Sequence, residues 1–194
     1  MRTNKGFTLI ELAVVLAIIA VLAAVLTPVV TNYVEQARIT RTTADTRSIA
    51  DAVRLHKRDT GFYPIYATLA AARAGTITTQ LLVGPGSNPS DTQGEWAAMT
   101  ATSDLATILN LNLGFSTASE VSNPGRAAYR GPYIGAVEAD PWGNRYIVTA
   151  TNLGGTANRG FVVSAGPDGS LDADPTQGVG SFTIADDDIG TPIN

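Results

Sequence analysis

From Phe7 to Val30 the chain is apolar apart from Thr8, Glu11 and Thr27. About 20 apolar residues cross the hydrocarbon of a bilayer as a helix, so this run is long enough to do so. From Thr31 to Arg58 neither proline nor glycine occurs, and Val34, Ala37, Ala44, Ile49, Ala52, Val53 and His56 form an interrupted apolar stripe at roughly helical spacing. The helix therefore continues beyond the apolar run. Arg54, Lys57 and Arg58 stand where a helix C-terminus favours cations, and Gly61 is a natural stop. The pattern predicts one helix from Phe7 to about Thr60, with a membrane-spanning half (7–30) and an amphipathic half (31–60).

After Phe62-Tyr63-Pro64, a stretch rich in Ala, Thr, Ser, Gly and Asn runs to about Arg130. In it, Pro85 to Gly94 reads as a loop, and Ser103-Asp104 ahead of Leu105, Ile108 and Leu109 reads as a capped short helix. Downstream, Asp140-Pro141-Trp142-Gly143-Asn144 is a turn cluster. Arg145 to Thr149 and Arg159 to Ser164 read as strands around a Gly/Asn-rich loop. The expected fold class is α+β: a long N-terminal helix packed on a small antiparallel sheet. The segments divide at 1–6, 7–30, 31–60, 61–131 and 132–194, the last holding the sheet and an acidic loop.

Charge narrows the function. Charged residues make up 15% of the 194, below the roughly 25% of an ordinary soluble domain, as expected if part of the chain faces something other than water. The net charge of −4, without a basic stripe, argues against nucleic-acid binding. After Arg159 there is no Lys or Arg, while Asp168, Asp172, Asp174, Asp186, Asp187 and Asp188 all follow. With no cysteine, the chain has no disulfide, thiolate metal site or cysteine nucleophile. The glycine clusters do not match a phosphate-binding loop, and neither a nucleophile elbow nor a histidine metal motif occurs. His56, the single histidine, reads as a half-packed member of the helix stripe. No enzyme is expected.

Met1 to Gly6 is polar and carries Arg2 and Lys5, which by the positive-inside tendency keeps this end cytoplasmic and exports the rest. The apolar run exceeds the 7–15 residues of a cleaved secretory signal. Glu11 is the anomaly, because an acid deep in a bilayer costs about 2.5–3.5 kcal/mol on insertion scales. A cationic partner would remove that cost, and a cut after Gly6 would create one in the α-amine of Phe7. The residues Lys5-Gly6-Phe7-Thr8-Leu9-Ile10-Glu11-Leu12 ahead of the apolar run resemble the class III signal of type IV pilins and pseudopilins. The resemblance implies cleavage by prepilin peptidase between Gly6 and Phe7 and methylation of Phe7. It further implies that Glu11 neutralises the amine of a neighbouring subunit in a homo-oligomeric helical filament. Pro28 also fits, near the depth at which the family's helix often kinks.

Asp140-Pro141-Trp142-Gly143, then Ser164-Ala165-Gly166-Pro167-Asp168-Gly169, then Asp186-Asp187-Asp188-Ile189-Gly190 resemble in order the C-terminal half of the major pseudopilin of type II secretion systems. That likeness implies a loop-type calcium site with Asp168, Asp186 and Asp188 as side-chain ligands, Asp187 as a substitute, and Asp172 or Asp174 as further candidates. It also implies an inner-membrane protein with a periplasmic domain, served by an assembly platform and minor pseudopilins. The chain departs from the family in a longer middle, a longer loop between Asp168 and Asp186, and Thr191-Pro192 where Asn-Trp is usual. Two other readings stand beside this one. They are a major or minor pilin of a surface pilus serving adhesion, motility or DNA uptake, and a membrane-tethered exported binding protein or hydrolase.

Overall fold

A computed structural model of the chain describes residues 6–61, 63–64, 81–91, 96, 103–105, 109, 130–153, 159–175 and 183–193. The leader residues 1–5, Phe62 and Ile108 lie outside these, as does most of 65–129. Two compact units are formed, Met1–Arg38 and Ile39–Asn194.

Helix α1 runs over Leu9–Thr60. In the first unit it begins with a capping box. The Thr8 amide and hydroxyl both donate to Glu11 Oε2 at 2.8 Å, and the Glu11 amide donates to Thr8 Oγ1 at 3.3 Å. Every large apolar side chain from Phe7 to Val34 is exposed, Phe7 at 94%. Such an all-round apolar surface suits lipid or other helices, not water. The hydroxyls of Thr27 and Thr31 fold back onto the carbonyls of Ala23, Thr27 and Pro28, so the polar groups inside this stretch are satisfied locally.

In the second unit α1 buries one narrow stripe: Thr42, Thr46, Ile49, Val53, His56 and Thr60, with Ala50 and Ala52 at its flanks. The alternating steps of four and three residues keep the stripe on one face. Ile49, Ala52, Val53 and His56 were expected there, whereas Ala44 is exposed, and Val34 and Ala37 in the first unit are exposed too. Three threonines take positions in the stripe where apolar residues are expected. Gly61 ends the helix at φ 83°, its amide reaching the Lys57 carbonyl at 2.7 Å, a left-handed cap that a side chain would oppose.

The sheet comprises β1 (Leu81–Val83), β3 (Ser103–Asp104), β4 (Tyr146–Val148), β5 (Phe161–Ser164) and β7 (Ile189–Pro192), in the order β3-β1-β4-β5-β7. It is antiparallel except for the β3–β1 pair at one edge. A second, parallel pair joins β2 (Ser90–Asp91) to β6 (Ser170–Leu171). A single helical turn, α2 (Ala150–Leu153), lies between β4 and β5. The described residues of the segment 61–131 thus supply three strands.

Strands β4 and β5 are buried on both faces. Tyr146, Val148 and Val162 pack with Ile49, Val53, Leu105, Leu109 and Ile193, while Ile147, Phe161 and Val163 pack with Trp96, Leu171 and Ala173. Trp96 comes from the long middle segment, stands edge-on to Phe161 at 6.1 Å, and donates its indole N–H to the Ala173 carbonyl. Ser103-Asp104, expected to cap a helix, form a short strand, and Leu105 directly after them is helical; Leu105 and Leu109 are fully buried.

Candidate functional site

Two places carry the residues singled out by the sequence, one in each unit. At the N-terminal place, Gly6 has no neighbour within 4 Å of where a Cβ would stand, and Phe7 is almost wholly exposed. Glu11 uses only Oε2 in its capping box. The junction Gly6-Phe7 is therefore open, one residue ahead of the helix cap.

The second place is the acidic loop. β5 ends at Ser164, and Gly166 follows at φ 62° against the segment that carries Asp187. A Cβ on Gly166 would fall 2.3 Å from the Asp187 carbonyl oxygen, so only glycine lets the two segments close. Asp187 Oδ2 then accepts the Asp168 amide at 3.1 Å, and Asp168 Oδ1 accepts the Ser170 amide at 2.7 Å. One carboxylate oxygen from each of Asp168, Asp172 and Asp187 lies within 4.8 Å of the others. Asp188 is anchored beside them. Its Oδ2 accepts the amides of Asp172 and Ala173 at 2.9 and 2.7 Å.

Burial pushes the Asp188 carboxyl up to about 6, against the two amide donors that favour its ionised form; the nearby charges of Asp172 and Asp187 push it the same way as burial. Oδ1 of Asp187 and Oδ1 of Asp188 are both buried without a hydrogen-bond partner. Unpartnered carboxylate oxygens beside a carboxylate trio are donors of the kind a hard cation takes, since calcium binds six to eight oxygens. Of the ligands expected from the sequence, Asp168 and Asp187 are brought together with Asp172. Asp186 is exposed outside the trio, and Asp188 holds the loop through backbone amides. No sequence signal separates Asp172 from Asp174; only the β6 turn does.

The Asp140–Asn144 cluster is a turn and not a ligand set. Asp140 Oδ1 accepts the amides of Trp142 and Asn144, and Oδ2 accepts the Ser164 hydroxyl at 2.7 Å. His56 is fully buried, its Nδ1 3.3 Å from the Thr60 hydroxyl and its ring edge-on to Tyr133 at 5.4 Å. It is more deeply packed than its place in the sequence suggests.

The exposed apolar helix begins one residue beyond the Gly6-Phe7 junction, the arrangement of a chain that can be anchored in a membrane. Residues 1–27 match the prokaryotic N-terminal methylation motif, the signal of type IV pilins and pseudopilins. Comparison with curated proteins and with solved structures finds no match. The motif implies processing by prepilin peptidase and assembly into a filament, and points to a structural pilin-like protein, not an enzyme. α1 is long and apolar enough to cross a membrane, which fits a membrane-anchored pilin-like subunit.

Proposed function

We propose that the chain is the major structural subunit of a type II secretion pseudopilus. The methylation motif at the head of a helix whose apolar residues are all exposed supports the filament-subunit part of this reading, and the likeness of Asp140–Gly143, Ser164–Gly169 and Asp186–Gly190 to the major pseudopilin supports the rest. Prepilin peptidase cuts between Gly6 and Phe7 and methylates the new Phe7 amine. Residues 7–30 hold the subunit in the inner membrane, and Arg2 and Lys5 keep the leader cytoplasmic, so that the Ile39–Asn194 unit stands in the periplasm. An assembly platform and minor pseudopilins then draw subunits from the membrane.

Glu11 carries the assembly step, because its carboxylate is costly in lipid and neutralises the Phe7 amine of a neighbouring copy. Calcium orders the acidic loop through Asp168, Asp172 and Asp187, with Asp188 fixing the loop. This part of the reading is supported by the carboxylate trio and the orphaned oxygens of Asp187 and Asp188.

Intact-mass analysis of filaments sheared from the native host tests the processing, with loss of Met1–Gly6 and gain of one methyl expected. Met1 retained in assembled filaments overturns it. Glu11→Ala is expected to abolish filaments while leaving the subunit in the membrane; normal yield from that strain removes the charge pairing. Electron microscopy separates the pseudopilus from its alternative, since long surface fibres from the native host would mark a surface pilin.

A further inference from the structure

All but one of the cations on α1 have a partner. Arg38 pairs with Glu35, Arg41 with Asp45 and Glu138, Arg54 with Asp51, and Arg58 with Asp59, while Lys57 donates to the Tyr63 hydroxyl. Arg47 is exposed and meets no polar partner. Its own helix cannot supply one, because Asp51, one turn on, is held by Arg54 at 2.6 Å. Among the carboxylates whose side chains are described, Asp186 is the counterpart. It is exposed at the tip of the turn that precedes β7 and takes no hydrogen bond or ion pair. Its surroundings repel anions, since six Asp and no Lys or Arg follow Arg159.

A filament grows by a contact between two different patches of the same chain, because only such a contact repeats without closing. Among its described residues the unit Ile39–Asn194 holds an unpartnered cation on its helix, Arg47, and an unpartnered anion on its acidic turn, Asp186, complementary charges of the kind a repeating contact uses. We infer that Arg47 of one copy pairs with Asp186 of the next, an inference that rests on the filament reading above. One exposed ion pair contributes only about 0.2–1 kcal/mol. Its value here is register, since opposite charges favour one docking and like charges penalise the slipped ones. Ala44 and Leu55, exposed on the same face of α1 as Arg47, let the neighbouring turn approach closely.

The test is a charge swap in the full chain, read as the yield of sheared filaments in a host that assembles the wild type. Arg47→Asp and Asp186→Arg should each lower the yield severalfold, and the double variant should restore most of it. Restoration is not available if Asp186 acts as a metal ligand, because arginine offers no carboxylate. A second readout uses the absence of native cysteine. Arg47→Cys and Asp186→Cys chains, co-expressed, should give a disulfide-linked dimer under oxidation only when filaments form. A double variant no better than the worse single one, or no mixed dimer from wild-type-like filaments, overturns the pairing and leaves the filament reading standing. A wild-type chain that makes no filaments in its native host overturns both.

Discussion

The two units of this chain bury apolar surface by opposite rules. In Met1–Arg38 the large apolar side chains all stand exposed, while in Ile39–Asn194 the helix hides a stripe one or two residues wide and presents Arg, Asp and Ser to water. The second unit has its own core, closed on both faces of β4 and β5. Among its described residues the first has none. The hydrophobic stabilisation of folding is thus concentrated in the second unit. Substitutions in the two should have separable consequences.

The sharpest break of that comparison sets Phe161→Ala against Leu16→Ala. Phe161 is fully buried, on the sheet face that packs with Trp96 and Leu171, and a buried Phe→Ala change costs about 3–5 kcal/mol through lost transfer energy and the cavity left behind. Leu16 is exposed and has no core to lose. Thermal melts of the detergent-solubilised chain should show a large fall for Phe161→Ala and almost none for Leu16→Ala, with the order reversed for filament yield if residue 16 packs between copies. A comparable loss of melting temperature from Leu16→Ala would show that the first unit carries folding stability of its own.

Much of this division was legible in the sequence because it rests on local signals. The apolar run, the Gly6-Phe7 junction and the Gly61 stop are chain-local, and α1 ends at Thr60 as the pattern predicts. Strands β4 and β5 fall within the two β-rich runs, although both are shorter. What escaped depends on distant partners. Thr42 and Thr46 are polar, so no hydrophobic pattern marks them as buried, yet the Thr46 hydroxyl shares a 3.0 Å bond with that of Thr191. Thr191-Pro192, a departure from the resembling family, is accommodated there, since Arg54 donates to the Pro192 and Ile193 carbonyls. Ser103-Asp104 carries a helix-cap signature and stands directly before helical Leu105, but the pairing of its backbone with β1 is a tertiary contact that no local signal marks. In the acidic loop the family likeness implied Asp186, whereas the fold brings Asp172, a lesser candidate in the sequence, beside Asp168 and Asp187.

A smaller effect is expected from calcium, which should act on the second unit alone. A ligand binding only the folded state adds about 2.7 kcal/mol at a hundredfold excess over Kd. For a unit of this size that is a rise of roughly 5–10 °C in melting temperature, given about 2–4 °C per kcal/mol. Magnesium should do less, because it prefers a tight octahedral shell and keeps its waters. Asp172→Asn and Asp187→Asn preserve shape but remove charge, and should abolish the shift; Asp186→Asn should keep it, since that side chain lies outside the trio. A shift that survives Asp172→Asn and disappears with Asp186→Asn would overturn the ligand assignment in favour of the one drawn from family likeness.

The smallest effect sharpens the boundary from the folded side, at a hydroxyl that ties the sheet to the helix. Tyr146 is fully buried, and its phenol donates to Asp45 Oδ2 at 3.0 Å. Burial raises its pKa well above the usual 10, and the Asp45 carboxylate, by charge and as acceptor, adds to the rise. Tyr133 is raised too, chiefly by burial. A phenol whose folded pKa exceeds its unfolded value contributes stability that is intact below pH 10 and is lost as the pH rises from there toward the folded value. Tyr146→Phe removes one hydrogen bond while keeping the ring, so it should cost about 0.5–1.5 kcal/mol at neutral pH. It should also flatten the fall in stability above pH 10, because the group responsible for part of that fall is gone. Denaturant melts at pH 7, 10 and 11 measure both, with Tyr33→Phe in the first unit as the contrast, since Tyr33 is 73% exposed. Equal alkaline slopes for wild type and Tyr146→Phe would show that the buried phenol does not govern the alkaline limit of the folded unit.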